Sequence, residues 1–327
     1  MAVATAPGSA ACTLPELRTD ERPDPPGVPT MVRTSFVVAD LLSVNDARQQ
    51  LNLDLIGTFS WRDPRLAGLN GCRFNINKVW FPHVTILNSS NLRLELRNER
   101  EQIAVGDGGQ VTYRNRVAGL VSTYHNLSRF PFDRHDFEIE FAVIELGNDA
   151  VQLVADSGNT WIADRLSIEG WIVEGVSLSS APSFLRRADG EVSIATLTIS
   201  AARNPDYYLY RMMLLLVFVV AVTWAIFWVP PSRFEFQIGI GATSMLTAIA
   251  FSLAIAQSLP QLGYLTILDK WLIWAVFLVF LSIVEALATG LMVLSDRRAG
   301  ALRLDKYSRV VFPVLLFCGW AAIAFTS

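Results

Sequence analysis

Cysteine and histidine are scarce in this chain of 327 residues, three of each, and the scarcity removes several kinds of chemistry. Cys12, Cys72 and Cys318 stand at no metal-ligand spacing and suggest no disulfide framework, so the redox compartment stays open. His83, His125 and His135 have no partners at ligand or triad spacing and are expected as surface or loop residues. No metal site, cofactor site or catalytic constellation can be assembled, which leaves an enzyme nothing to stand on. Charge is thin as well: 17% of residues are charged, the net is −3, and no basic stripe interleaves with aromatics, which excludes nucleic acid as a partner. The first thirty-three residues lack the apolar run of a signal peptide; rich in Ala, Pro and charge, they read as a disordered leader over 1–33.

Apolar residues are what the chain has in quantity, 52% of the total with a positive mean hydropathy, and they are unevenly spread. Residues 34–203 alternate charged and β-branched side chains, whereas 204–327 carry four long apolar runs. In the first part helical periodicity is nearly absent. Short alternating runs (SFVVADLL, QLNLDLIGTFSW, RLELR, QVTYRNRVAGLVST, DFEIEFAVIEL, GWIVEGVSL, EVSIATLTIS) are separated by turn signals, the pattern of a β-sandwich. Gly106-Asp107-Gly108-Gly109 and Asp189-Gly190 read as hairpin turns.

The apolar runs predict four membrane helices at about 207–228, 235–257, 267–294 and 304–325. Tyr207, Tyr208 and Tyr210 at one end of the first and Trp224 and Trp228 at the other form the two aromatic girdles of a span. Arg297, Arg298, Arg303, Lys306 and Arg309 crowd the connection between the third and fourth, which makes that side cytoplasmic and puts the β domain outside. The chain is therefore expected as a multi-pass protein of the cell's inner membrane, in contact with lipid, with its amino-terminal domain extracytoplasmic. Glu285, inside the third span, must face the bundle or water, either as a hydrogen bond to a neighbouring helix or in gating or proton sensing.

The second span is too polar for a plain anchor. From Glu235, steps of three or four residues reach Gly239, Thr243, Leu246, Ala250, Leu253 and Gln257, all on one helical face. That face has a carboxylate and a hydroxyl at one end, apolar side chains in the middle and an amide at the other, while Phe236, Ile238, Ile240 and Ile249 flank it. Such a stripe suits one wall of a pore, with Leu246 and Leu253 as apolar constrictions. It also suits a buried helix in which Gly239, Ala242, Thr243 and Ser244 allow close packing. One helix cannot enclose a channel, so the pore reading needs several copies around an axis.

Trp61-Arg62-Asp63, Trp80-Phe81-Pro82 followed by Asn88, and above all Phe130-Pro131-Phe132-Asp133 ahead of four apolar spans resemble the pentameric ligand-gated ion channel family. The resemblance covers residues 34–327. Two cysteines close the signature loop in animal receptors; Thr123 and Phe137 stand in their places, as in the prokaryotic branch. It implies a homopentamer of β-sandwich domains over four-helix domains, a pore lined by the second helix, and a small-molecule agonist or protons as the signal. Asp133 needs a partner and Arg203, just before the first span, is the candidate; the resemblance adds Asp46 as a third member, the alternative being three independent surface charges. Phe130, Pro131, Phe132 and Pro260 complete the expected coupling set.

Glu235 at the cytoplasmic mouth implies permeating monovalent cations. An anion-selective channel and a non-conducting membrane-anchored binding module are the rivals. At the family's aromatic-box positions this chain has Ile56, Leu87 and Ile144, so the expected ligand site is stripped of aromatics and keeps only Phe184, Arg186 and Arg187 on a nearby loop. Positions linked with proton gating in bacterial relatives hold Gln49 and Ala248.

Overall fold

A computed structural model describes residues 12–94, 101–185, 190–256 and 261–326. Two β-sheets form the first part. The larger contains β1 (Thr30–Asn45), β2 (Gln50–Arg62), β3 (Arg73–Asn75), β5 (Ser89–Leu94), β6 (Gln102–Val105), β7 (Gln110–Ser122), β9 (Val151–Ala155) and β10 (Trp161–Ile162). Its main path runs β10-β1-β2-β7-β6-β3, with β5 beside β7 and β9 beside β1. The smaller contains β4 (Val84–Ile86), β8 (Arg134–Val143), β11 (Trp171–Phe184) and β12 (Glu191–Arg203) in the order β11-β12-β8-β4.

Strand alternation decides which side chains enter the core. Along β2, Leu51, Leu53, Leu55, Phe59 and Trp61 are buried while Asn52, Asp54, Thr58 and Ser60 look outward. Across the core Phe36 of β1 stacks on Phe141 of β8 at 4.1 Å between ring centroids, and Trp61 of β2 lies edge-on to Trp80, just before β4, at 5.9 Å. The expected hairpin at 106–109 joins β6 to β7. Gly109 has φ +79°, and a Cβ there would fall 2.2 Å from the carbonyl oxygen of Asp63, so glycine is required. The Asp189-Gly190 turn falls partly outside the described residues, although β11 and β12 do pair antiparallel.

Two expectations for the amino-terminal stretch are corrected. Cys12 and Cys72 form a disulfide, their Cα atoms 5.6 Å apart. Sixty residues separate them, so no local spacing announces the pair. The leader is also ordered from residue 12 onward: Leu14 and Leu17 pack against the core, Arg22 donates to the carbonyl of Ala150 at 3.0 Å, Arg65 donates to that of Glu21 at 3.1 Å, and β1 already begins at Thr30. A covalent tie and side chain to backbone hydrogen bonds order this stretch, and neither leaves a periodicity in sequence.

Four helices long and apolar enough to cross a membrane follow. The first span, Tyr207–Trp228, opens as a π-helix and continues as α1 (Leu214–Trp224). The others are α2 (Phe234–Ala256), α3 (Ile267–Leu294) and α4 (Arg298–Thr326). Thr266 caps α3, accepting from the Asp269 backbone N–H at 3.1 Å while Asp269 accepts from the Thr266 N–H at 3.0 Å. α4 starts six residues before the expected 304, so Arg298, Arg303, Lys306 and Arg309 lie on the helix and not in a loop. At 29 residues it is about 44 Å long, more than a bilayer core requires, and its basic first turns can extend beyond the lipid. Pro313 inside α4 leaves the Arg309 carbonyl without its helical donor; Trp224 Nε1–H supplies one at 2.9 Å.

Candidate functional site

β12 ends at Arg203, four residues before the first span, and the loop of residues 123–133 between β7 and β8 lies beside it. Arg203 is buried there and grips two carboxylates at once. Its Nε and Nη2 donate to Asp133 Oδ1 and Oδ2 at 2.8 and 3.0 Å; its Nη1 and Nη2 donate to Asp46 Oδ2 and Oδ1 at 2.9 and 2.8 Å. The guanidinium carbon also sits 4.2 Å from the ring centre of Trp171 and 4.8 Å from that of Phe130. A planar five-donor group between two carboxylates and two aromatic faces is an arrangement lysine cannot reproduce.

Two of the histidines belong to the same cluster, which corrects the expectation that they are surface residues. His135 Nε2 is 2.6 Å from Asp133 Oδ2. His125, fully buried, bonds through Nε2 to the Thr123 hydroxyl at 2.7 Å, and its Nδ1 lies 3.4 Å from Asp46 Oδ1, an electrostatic contact and not an aligned hydrogen bond. The two rings are 5.1 Å apart. The signal was present at short range: His135 follows Asp133, and His125 follows Thr123, by two residues, and in extended chain such residues share a face.

Burial by itself would raise the pKa of both acids, but their partners outweigh it. Asp46 is held below its ordinary value by His125 and Arg203, and Asp133 by His135 and Arg203. Burial works against the Arg203 charge, yet the hydrogen bonds and charges of the two acids push its pKa up. The guanidinium and the two carboxylates together carry one positive and two negative charges.

The loop that carries Asp133 docks on the helices through its backbone. Ile267 N–H donates to Ser128 O at 3.2 Å, Leu268 N–H to Phe130 O at 3.3 Å, and the Tyr264 hydroxyl accepts from Leu127 N–H at 3.0 Å. The start of α3 thus finds acceptors in the loop for N–H groups that no helical carbonyl serves. Phe130 packs edge-on against Tyr208 of the first span at 4.6 Å, and Phe132 reaches Trp271 of α3 at 6.0 Å; the Phe130-Pro131 peptide is cis. Thr123 and Phe137 are both buried and contact His125. Pro260 lies outside the described residues.

The second candidate region is the outer face of α2. Glu235, Gly239, Thr243, Leu246, Ala250 and Leu253 are all exposed, Leu246 by 69% and Leu253 by 62%. The opposite face is closed: Gln237, Gly241, Ser244, Ala248 and Ile255 are buried. Gln237 Nε2 donates to the carbonyls of Val229 at 2.9 Å and Ile226 at 3.3 Å, tying α2 to the end of the first span. Gly241, not Gly239, is the close-packing glycine; a Cβ there would come within 2.5 Å of Ile283, whereas Gly239 meets nothing within 4 Å. Gln257 is outside the described residues. Glu285 of α3 accepts from the Ser308 hydroxyl of α4 at 3.2 Å, the expected hydrogen bond to a neighbouring helix.

The expected ligand positions are dispersed over one chain. Ile56 is on β2, Leu87 packs beside Ala142, Val192 and Ile194 at the end of β4, Ile144 follows β8 and is exposed, and Phe184 ends β11, also exposed. Arg186 and Arg187 fall outside the described residues.

Residues 14–198 match the family profile of the neurotransmitter-gated ion-channel ligand binding domain, and the chain belongs to that family. Along its length it is 22% identical over 311 residues to a proton-gated ion channel of Gloeobacter violaceus, covering 93% of this chain and 85% of that one. It is 22% identical over 271 residues to the human gamma-aminobutyric acid receptor subunit gamma-1, and 21% over 299 to the human subunit rho-3. These alignments cover 81% and 88% of this chain but only 58% and 64% of the two subunits. The chain is thus a multi-pass membrane protein of the ligand-gated ion channel class, with an extracellular amino-terminal domain and not an enzyme.

Proposed function

We propose that five copies of this chain assemble in the cell's inner membrane with the outer face of α2 turned to a common axis, and that the assembly conducts monovalent cations when the β domain senses a small molecule or protons. The observation that carries this reading is the split of α2: the striped face is open from Glu235 to Leu253 while the opposite face is closed by α1 and α3. In lipid an exposed face with a carboxylate, a glycine and a hydroxyl is costly, and a water-filled axis shared by several copies removes that cost. Five Glu235 side chains form a carboxylate ring that concentrates cations, and Leu246 and Leu253 form constrictions that close by dewetting.

Arg203, Asp46 and Asp133, with Phe130, Pro131, Phe132 and Pro260, couple the two parts: the loop is held by β12 through charge and held by α3 through backbone hydrogen bonds, so a movement of the sheets reaches the helices. Ile56, Leu87, Ile144, Phe184, Arg186 and Arg187 are the positions expected to contribute to a ligand site in this reading. The test is purified chain in a planar bilayer, with native mass spectrometry for copy number and a screen of agonists and pH steps for current. Five copies and a reversal potential near that of the cation in a salt gradient support the proposal. A reversal at the anion potential assigns anion selectivity, and silence to every agonist and pH step leaves a membrane-anchored binding module.

A further inference from the structure

α3 and α4 are fastened to each other in two unlike ways. Toward the outer end the donors are indoles: Trp271 Nε1–H donates to Trp320 O at 3.0 Å, Trp320 Nε1–H to Trp271 O at 3.1 Å, and Trp274 Nε1–H to Leu315 O at 3.0 Å. Toward the cytoplasmic end the contact is between two acids. Glu285 of α3 and Asp305 of α4 bring their carboxyl groups into hydrogen-bond contact, and Asp305 is only 1% exposed. Glu285 stands nine residues, about 14 Å, before the last residue of α3, so the pair is inside the span and not at its rim.

The pair is short of hydrogens. Glu285 Oε1 accepts from the Ser308 hydroxyl at 3.2 Å, but Glu285 Oε2 and Asp305 Oδ1 are buried with no donor among the described residues. Ionised carboxylates offer each other only acceptors, so contact between two of them is a hydrogen bond only when one carries a proton. Two like charges in contact and away from water also cannot both persist without a cation between them. The nearby charges fix how many protons the pair needs. Arg309, one turn on from Asp305, acts on the Asp305 charge. Its Nε–H is given to Phe227 O at 3.0 Å and its guanidinium carbon lies 5.2 Å from the centre of the Trp228 ring, so it is anchored on the first span. The other charges on the elements packed here stand away: Arg233 and Glu235 at the start of α2 and Arg303 and Lys306 of α4 are exposed, α1 has none, and α3 has no other from Trp271 to Leu294. One guanidinium balances one carboxylate, and the second carboxyl is left to be neutral.

We infer that Glu285 and Asp305 form a proton-binding site inside the membrane: Glu285 holds one proton on Oε2 and donates it to Asp305, whose charge is set against Arg309, and this bond docks the cytoplasmic half of α4 on α3. The proton is held at neutral pH, which separates this site from any opening triggered by acid. When alkali removes it, two carboxylates face one guanidinium and the cytoplasmic half of α4 is released, while the indole bonds keep the outer half in place. The site is complete within one chain, so it depends on neither copy number nor conduction.

Infrared spectra of the full-length chain in lipid bilayers test the proton directly. At neutral pH the parent should show a protonated-carboxyl C=O band that moves down in heavy water, and Glu285→Gln should remove it. Glutamine keeps an N–H donor for Asp305, so this variant should stay folded, which thermal melting checks. Ser308→Ala, which takes a donor from the carbonyl oxygen, should move the band up, and Asp305→Asn, which replaces the accepting carboxylate by an amide, should move it too. Amide hydrogen exchange across 298–312, corrected for its intrinsic pH dependence, should rise several-fold from neutral to alkaline pH in the parent but not in Glu285→Gln, and far less across 313–326. Absence of a protonated-carboxyl band in the parent at neutral pH overturns the inference, as does a band indifferent to Glu285→Gln in folded protein. Exchange across 298–312 that rises equally in the parent and in Glu285→Gln overturns the docking role.

Discussion

At the junction of sheets and helices each charged side chain of the central cluster finds its partner inside one chain, whereas the striped face of α2 turns its carboxylate, hydroxyl and leucines outward. Arg203 is closed in by Asp46, Asp133, Phe130 and Trp171. Glu235, Thr243 and Leu246 are exposed on a helix whose other side is fully packed. The difference teaches where each region's work is defined. In the buried cluster any displacement of one charged member leaves another unpaired. An open stripe does nothing until copies of the same chain stand opposite it.

The sharpest way to break this contrast is to empty the junction. Arg203→Ala leaves two buried carboxylates without their cation and should cost about 3–5 kcal/mol, read as a fall in melting temperature and in surface expression. In double-mutant cycles with Asp46→Ala and Asp133→Ala the losses should be strongly non-additive; additive losses would mean that the three residues do not share a network.

Next come the two glycines of α2. Gly241→Ala drives a methyl against Ile283 and should destabilise by about 1–3 kcal/mol, while Gly239→Ala should leave stability the same or raise it by up to about 1 kcal/mol through helix propensity. If the two substitutions destabilise equally, the open and closed faces have been assigned wrongly.

A pH series sharpens the junction side. Asp46 and Asp133 have depressed folded-state values, so their stabilisation is full above the unfolded value of 3.8 and is lost as pH falls through the lower folded values. The parent chain should lose melting temperature over that acid range more steeply than the Asp133→Asn variant. Equal slopes would place the acid sensitivity elsewhere.

On the open face, Leu246→Thr should wet the constriction, raise resting current several-fold and lower the agonist requirement. A variant that expresses normally and is as silent at rest as its parent moves the gate to another residue. The smallest effect is expected from Glu235→Gln, a fall in single-channel conductance and cation preference that fades as salt shortens the screening length to about 3 Å at 1 M. Unchanged conductance and reversal potential at low salt would remove Glu235 from the conduction path.

Much of this molecule was legible before any coordinates. Alternation along β2, β7, β8 and β12 marked the sheets, and the apolar runs marked four helices whose ends agree within a residue or two, except at the start of α4. Glu235, Gly239, Thr243, Leu246, Ala250 and Leu253 fell on one face by counting alone. Such features depend on neighbours a few residues away, and sequence records those directly. The site was legible only in part: Arg203 and Asp133 suggested themselves by charge, but His125 and His135 did not, because a histidine two residues from its partner looks the same in a loop as in a core.

The sequence by itself determined the periodicities, two in the sheets and 3.6 in the helices, and through them which residues could face inward and which stripe could face a pore. Tertiary structure alone decided what lies opposite what. It joined Cys12 to Cys72, ordered the stretch before β1, moved Arg298 to Arg309 onto a helix, and buried two histidines beside Arg203. Those pairings are between residues far apart in the chain, held by packing and by hydrogen bonds whose partners are chosen in space, and no local pattern encodes them.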